Sequence, residues 1–238
     1  MQPPNRHAVV NAIKEFLIIV TGVLTALALE NWNSDRVERK NEGEYITAMR
    51  DDLRAHIARF DEWTAGLAEH RDWSKEIWSW ANGTTPNRPV AQVLLSIRLG
   101  GQLDLNTQFQ DAAYQDLLNS GRLGLIKQRR VREALVDYHN RLDRWIPVIQ
   151  ENHAVARERY AGAVVGVVPA EVAWRAAMRE DLSSVDLAPI LSNFRERPAI
   201  RDALVGMVQS FDFRMNAANT NREAAQSLLA VLDSVALR

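Results

Sequence analysis

AVVNAIKEFLIIVTGVLTALAL, residues 8–29, leads straight into Glu30-Asn31-Trp32-Asn33. Its central part, residues 16–29, is fourteen residues without a charge, about 21 Å of helix. A hydrocarbon core needs roughly 20 residues, so the span must reach back to residue 8 and take in Lys14 and Glu15. Lys14 can snorkel, because helical side chains lean toward the N-terminus and its stem is long. Glu15 is costlier below the interface unless it is protonated, paired or turned toward protein. Trp32 stands where an interfacial aromatic belongs. The stretch therefore predicts a transmembrane anchor within residues 1–32, followed by an extramembrane helical domain over residues 33–238.

Two other readings compete. Arg6 and Lys14 could form the basic region of a cleaved signal peptide, with Ala26-Leu27-Ala28 as the small-x-small site. A fourteen-residue apolar run also suits a core helix of a soluble protein. No turn residue interrupts the helical pattern between Leu29 and Glu38, which favours an uncleaved anchor running on into a second, amphipathic stretch.

Residues 15–33, with the charged run 36–45 behind them, resemble the start of a bacterial family of uncharacterised single-span membrane proteins, a domain of unknown function. The shared features are a Glu, an Ile/Leu/Val run with one Gly (Gly22), an Asn-Trp-Asn exit and a charged helix. Residues 109–138 form a second similar block, with Ser120-Gly121-Arg122-Leu123 and Leu125-Ile126 inside it. Together the blocks cover about a third of the chain. Lys14, where the family more often has Gly, and a shorter N-terminal tail depart from the pattern. The resemblance implies a bacterial inner-membrane address and a helical domain on the extracytoplasmic side. It implies no activity.

Composition agrees with a folded protein: 47% apolar, 25% charged. A net charge of −1 offers no global attraction to nucleic acid. Without cysteine the chain can form neither disulfides nor thiolate metal sites. Arg6, Lys14 and the terminal amine on one side nearly balance Arg36, Arg39 and Lys40 on the other, so the charges themselves do not orient the span.

Beyond residue 33 the pattern predicts an all-α protein, an antiparallel bundle of three long helices with short connecting helices. Ile46, Met49, Leu53, His56, Phe60, Trp63, Leu67, His70, Ser74, Ile77 and Ala81 follow alternating steps of three and four, the seam of a coiled coil or bundle. Asn82-Gly83 and the prolines to Pro89 stop it. Short helices are predicted over 90–99 and from Thr107 to Asn119, the latter opened by a Thr107/Gln110 capping box and closed by Gly121. A second long helix starts near Lys127 with a stripe from Val131 to Ala163, interrupted by Pro147. Connectors over 171–179 and 187–194 precede a third, from Pro198, carrying Ile200, Leu204, Met207, Phe211, Met215, Ala218, Arg222, Ala225, Leu229 and Leu232. The predicted order is up, down, up.

The sequence has no phosphate loop, H-E-x-x-H, serine elbow or thiol nucleophile, so neither an enzyme nor a cofactor is expected. Histidines offer a sharper idea. His56 and His70 lie fourteen apart on the first long helix, and His139 and His153 fourteen apart on the second. A simple reversal would pair His70 with His139 and His56 with His153, for metal or proton sensing. Two solvated pairs are the plainer reading. Lys127, Arg129, Arg130 and Arg132 crowd a helix start, where the macrodipole disfavours cations; an anion, an acidic partner or neighbouring carboxylates would compensate. Glu15, Gly22 and Ala26 share one face of the anchor, and Gly22-x-x-x-Ala26 lets backbones approach. The expected partners are the lipid bilayer and either a second copy or a larger membrane protein. The expected role is a non-enzymatic accessory or scaffold subunit. The alternative is an anchored bundle sensing a small molecule, pH or a metal.

Overall fold

The computed structural model describes the backbone of residues 6–178 and 180–236, and the side chains of 14–178 and 180–235. Expectations about the side chains of Arg6 and of residues 8–13, and the connector end at Arg179, lie outside the described residues. Within them every regular element is helical: α1 (Arg6–Ala81), α2 (Val90–Leu99), α3 (Ala112–Asn119), a 3₁₀ turn (Leu123–Leu125), α4 (Arg129–Val164), α5 (Ala170–Ala177), α6 (Ala188–Glu196) and α7 (Pro198–Ala236).

α1 is one unbroken helix of 76 residues, about 114 Å long. Residues 14–37 are exposed, save a half-buried Val20, and Glu38 and Glu42 are the first to be held, by Lys127. From Ile46 onward the predicted seam is buried, save His70, which is half-buried. Phe60, Leu67 and Ile77 pack there with Leu135 and Tyr160 of α4 and with Leu204, Met207 and Phe211 of α7 in one core. Each such side chain contributes roughly 1.5–3 kcal/mol through burial.

Cross-links along the bundle give the direction of each leg. Glu76 binds Arg88, His70 binds Gly101, His56 binds Gln110, and Glu38 binds Lys127. The chain from 82 to 127 therefore descends beside α1 to its base, where α4 starts. α4 then rises: Tyr138 meets His56, and Tyr160 meets Ile97 near the top. α7 descends antiparallel to both long helices, pairing Asp212 with Arg71, Arg222 with Asp61, and Asp233 with Arg50, while Arg195 at the end of α6 donates to the Trp80 carbonyl at the top. The three long helices and their short connectors form the predicted bundle, but the order of legs is corrected. α4 rises parallel to α1 because residues 82–127 are themselves a full return leg, not a corner.

Two local expectations also change. Residues 102–110 form no helix, and α3 starts only at Ala112, after Asp111. The Thr107 hydroxyl accepts from the Gln150 amide instead of capping a helix. On α7 the buried stripe runs through Arg214, Asn221 and Leu228, one residue before the expected Met215, Arg222 and Leu229. A seam alternating three and four steps allows either choice: after Phe211 the apolar Met215 competes with Arg214, and the same one-residue offset recurs a heptad and two heptads later. Gly121 takes the predicted left-handed turn after α3, at φ 68°, and Ile126 beyond it is fully buried. α4 continues through Pro147, whose position is exposed.

Candidate functional site

Residues 14–30 are solvent-facing apart from a half-buried Val20. The helix from Lys14 contains a window long and apolar enough to cross a membrane, none of it buried inside the protein. Glu15, Gly22 and Ala26 fall on one uncovered face, with open space around Gly22. Lys14 is exposed at one end. At the other, Trp32 is exposed with Arg36 lying 6.0 Å from its ring centre.

The second site is a strap, residues 100–111, threaded between α1 and α4. Irregular backbone inside a helical bundle leaves carbonyls that must find donors, and side chains of the long helices supply them. Ser74 Oγ donates to the Gly100 carbonyl at 2.6 Å and His70 Nδ1 to that of Gly101 at 3.0 Å. Arg214 Nη2 donates to the Leu103 carbonyl at 2.9 Å, and His56 Nε2 to that of Gln110 at 2.7 Å. His153 Nε2 faces Asp104 Oδ1 at 3.2 Å. His139 lies flat on Tyr114 with ring centres 3.7 Å apart, its Nδ1 3.8 Å from Asp111 Oδ2. His56, His70 and His153, three of the four histidines singled out in the sequence, thus bond one segment, and His139 stacks on Tyr114 beside its end. The pairing expected for them is corrected: the parallel course of α4 sets His56 level with His139, and His153 level with Leu103–Asp104 rather than with His56.

Two of these bonds fix tautomers. A guanidinium only donates, and Arg214 Nη1 lies 2.9 Å from His153 Nδ1, so that nitrogen carries the lone pair and Nε2 the proton. Likewise the Gln110 carbonyl only accepts, so His56 is protonated at Nε2 and takes the Tyr138 hydroxyl at Nδ1, 2.9 Å away. Arg214, missed in the sequence reading, is 2% exposed. Burial lowers its pKa to about 10, with Asp104 opposing, so it stays charged at neutral pH. The signal was an arginine in register with Phe211 and Ala218 on the apolar stripe. Asp104, Gln110, Asp111 and Tyr114 carried no such signal.

Burial pushes His139 and His153 down to about 4 and lowers His56. Asp111 opposes the shift at His139, and Asp104 opposes it at His153, where Arg214 and Arg157 reinforce it. Asp52 and Asp111 oppose it at His56. These histidines are neutral in the folded state, and the unfolded chain takes up their protons first. Their contribution is complete above about pH 6.5 and is lost as pH falls toward about 4, roughly 2 kcal/mol for each of His139 and His153 at pH 5. Urea unfolding at pH 7.5 and pH 5 is expected to show a stability difference that shrinks by about 2 kcal/mol in His139→Phe. An unchanged difference would disprove the assignment.

The basic turn is compensated from within. Lys127 Nζ meets Glu38 at 2.6 Å and its backbone N–H meets Glu42 at 2.7 Å. Arg129 pairs with Glu133 at 2.7 Å, and Arg132 donates to the carbonyls of Ile126 and Lys127. Glu38 raises the Lys127 pKa, and Glu133 raises that of Arg129. Arg130 is exposed. The cluster fastens the start of α4 to α1.

An open groove of about 1050 Å³ runs between α4 and α7. Among the described residues no three His, Asp or Glu converge on a metal-sized site. No protein family, curated protein or solved structure matches this chain.

Proposed function

We propose that the chain is a non-enzymatic, single-pass membrane protein whose helical domain acts through protein contacts, as an accessory or scaffold subunit. The observation that carries this reading is the apolar stretch of α1 that starts at Lys14, whose membrane-length window the protein's own domain does not bury. Uncovered apolar surface on this scale calls for lipid or protein around it. The core where the three long helices meet is filled by Phe60, Leu67, Phe211 and Tyr160, which favours a scaffold over a small-molecule sensor. The histidines are occupied in holding the strap, which weakens the metal-sensing alternative. The two sequence blocks that resemble uncharacterised bacterial single-span proteins support an inner-membrane address with the domain outside the cytoplasm. Glu15, Gly22 and Ala26 provide the face through which the anchor meets another span.

The test is extraction in a mild detergent and affinity purification through a tag at Arg238. Either a second copy or an integral membrane protein is expected to accompany the chain in stoichiometric amount. A chain that carbonate washes from membranes, or one that purifies alone as a monomer, ends the proposal.

A further inference from the structure

The groove between α4 and α7 is open along its whole length, and two sets of cross-links fix how the helices are aligned there. Ser210 donates to Asn152 at 2.6 Å, and Arg197 donates to the carbonyls of Ala163 and Val165. Counting inward from either end sets Val155 level with Gly206 and Arg159 level with Asp202. Val148 comes level with Phe213. All six line the groove.

The composition of the two rims differs. α4 presents Val155, 42% exposed. α7 presents Gly206, where a Cβ would meet nothing within 4 Å. Arg159 and Asp202 are both exposed, and neither has an ion-pair partner among the described residues. The groove thus offers a knob at Val155 and a cation at Arg159 on one wall, which also carries Glu151 lower down, and a hole and an anion at the heights of Val155 and Arg159 on the other.

We infer that this groove is the seat of a second copy of the chain, related by a two-fold axis parallel to the bundle. Such an axis lays α4 of each copy against α7 of the other at equal height. Val155 then enters the hole at Gly206, and Arg159 meets Asp202, each contact made twice, as a closed two-fold interface requires. The axis direction rests on the membrane reading above: two copies anchored in one bilayer must stand side by side, pointing the same way. An antiparallel pair would instead bring Val155 against Val155 and leave the anchors at opposite ends. The part of α7 that meets α1, including Arg222, lies on the far side from Gly206. The two α1 helices therefore stand outermost, and the Gly22–Ala26 face remains free for another span.

The full chain in detergent or nanodiscs tests this directly. Arg159→Asp sets carboxylate against carboxylate in a homodimer, and Asp202→Arg sets cation against cation. Each variant alone is expected to lose at least tenfold in dimer affinity by light scattering. Mixed, they restore both pairs, so differently tagged chains are expected to form a one-to-one heterodimer. A mixture no more dimeric than its parts overturns the inference. Because the chain has no cysteine, crosslinks can be placed cleanly. Chains carrying Val155→Cys and Gly206→Cys are expected to join to each other, whereas Val155→Cys joining readily to itself would mean the antiparallel pair and refute this one. A monomer that resists carbonate removes the dimer and leaves the membrane reading intact. A heterodimer rescued as above in a chain that carbonate releases does the opposite.

Discussion

Aspartate at both Ile19 and Val23 is expected to shift the protein from the carbonate-resistant membrane pellet to the supernatant. Both positions are more than half exposed, at 65% and 54%, and lie near the middle of the uncharged run. A carboxylate at the centre of a spanning helix costs about 2.5–3.5 kcal/mol, so the pair costs about 5–7 kcal/mol, enough to change membrane partition by three orders of magnitude or more. The urea midpoint of the domain should not move, because residues 19 and 23 touch none of it. Two other outcomes are informative. An unchanged pellet would show that something other than this segment holds the chain down. A collapse of domain stability would show that the segment packs against protein.

The second large effect is expected at the strap. Gly101 adopts φ +82°, and a Cβ there would stand 2.3 Å from Ser74 Oγ and 2.9 Å from the His70 backbone carbonyl. The hydroxyl can rotate away, but the carbonyl belongs to α1 and cannot. Left-handed backbone costs an alanine roughly 1–2 kcal/mol, and overpacking adds roughly 1–3 kcal/mol. Gly101→Ala should therefore destabilise the domain by about 4 kcal/mol in urea unfolding, with faster amide exchange over residues 100–111. Gly121 is the control: its φ is +68° but its surroundings are open, so alanine there should cost only the backbone share. Equal losses at the two glycines would mean that the strap is not seated as described.

The long helices were legible because periodicity is strong where one face is buried. Ile46, Phe60, Leu67 and Ile77 recur at regular steps, and Asn82-Gly83 marks a clear stop. The return leg was not legible for a physical reason. Residues 102–110 carry apolar side chains at Leu103, Leu105 and Phe109 but satisfy their backbone through distant donors such as Arg214 and His56, which no local pattern records. Reading that leg as a corner reversed the direction of α4, and the histidine pairing failed with it. The basic turn was legible from residue spacing alone. The carboxylates that compensate Lys127 come from α1, nearly ninety positions earlier, beyond the reach of any window.

The unbroken course of α1 has a mechanical consequence. Between Trp32 and Ile46, the first buried seam residue, lie thirteen residues of helix, about 20 Å. On the membrane reading proposed above, this stretch is a stiff post, and the domain reaches back along it only to Glu38, where Lys127 is held. Helical continuity also locks rotational phase: each residue turns the rod by about 100°, so one residue gained or lost in the post would swing the Glu15 face most of a third of a circle around the domain. Torque applied to the span reaches the bundle undiminished, and the reverse holds too.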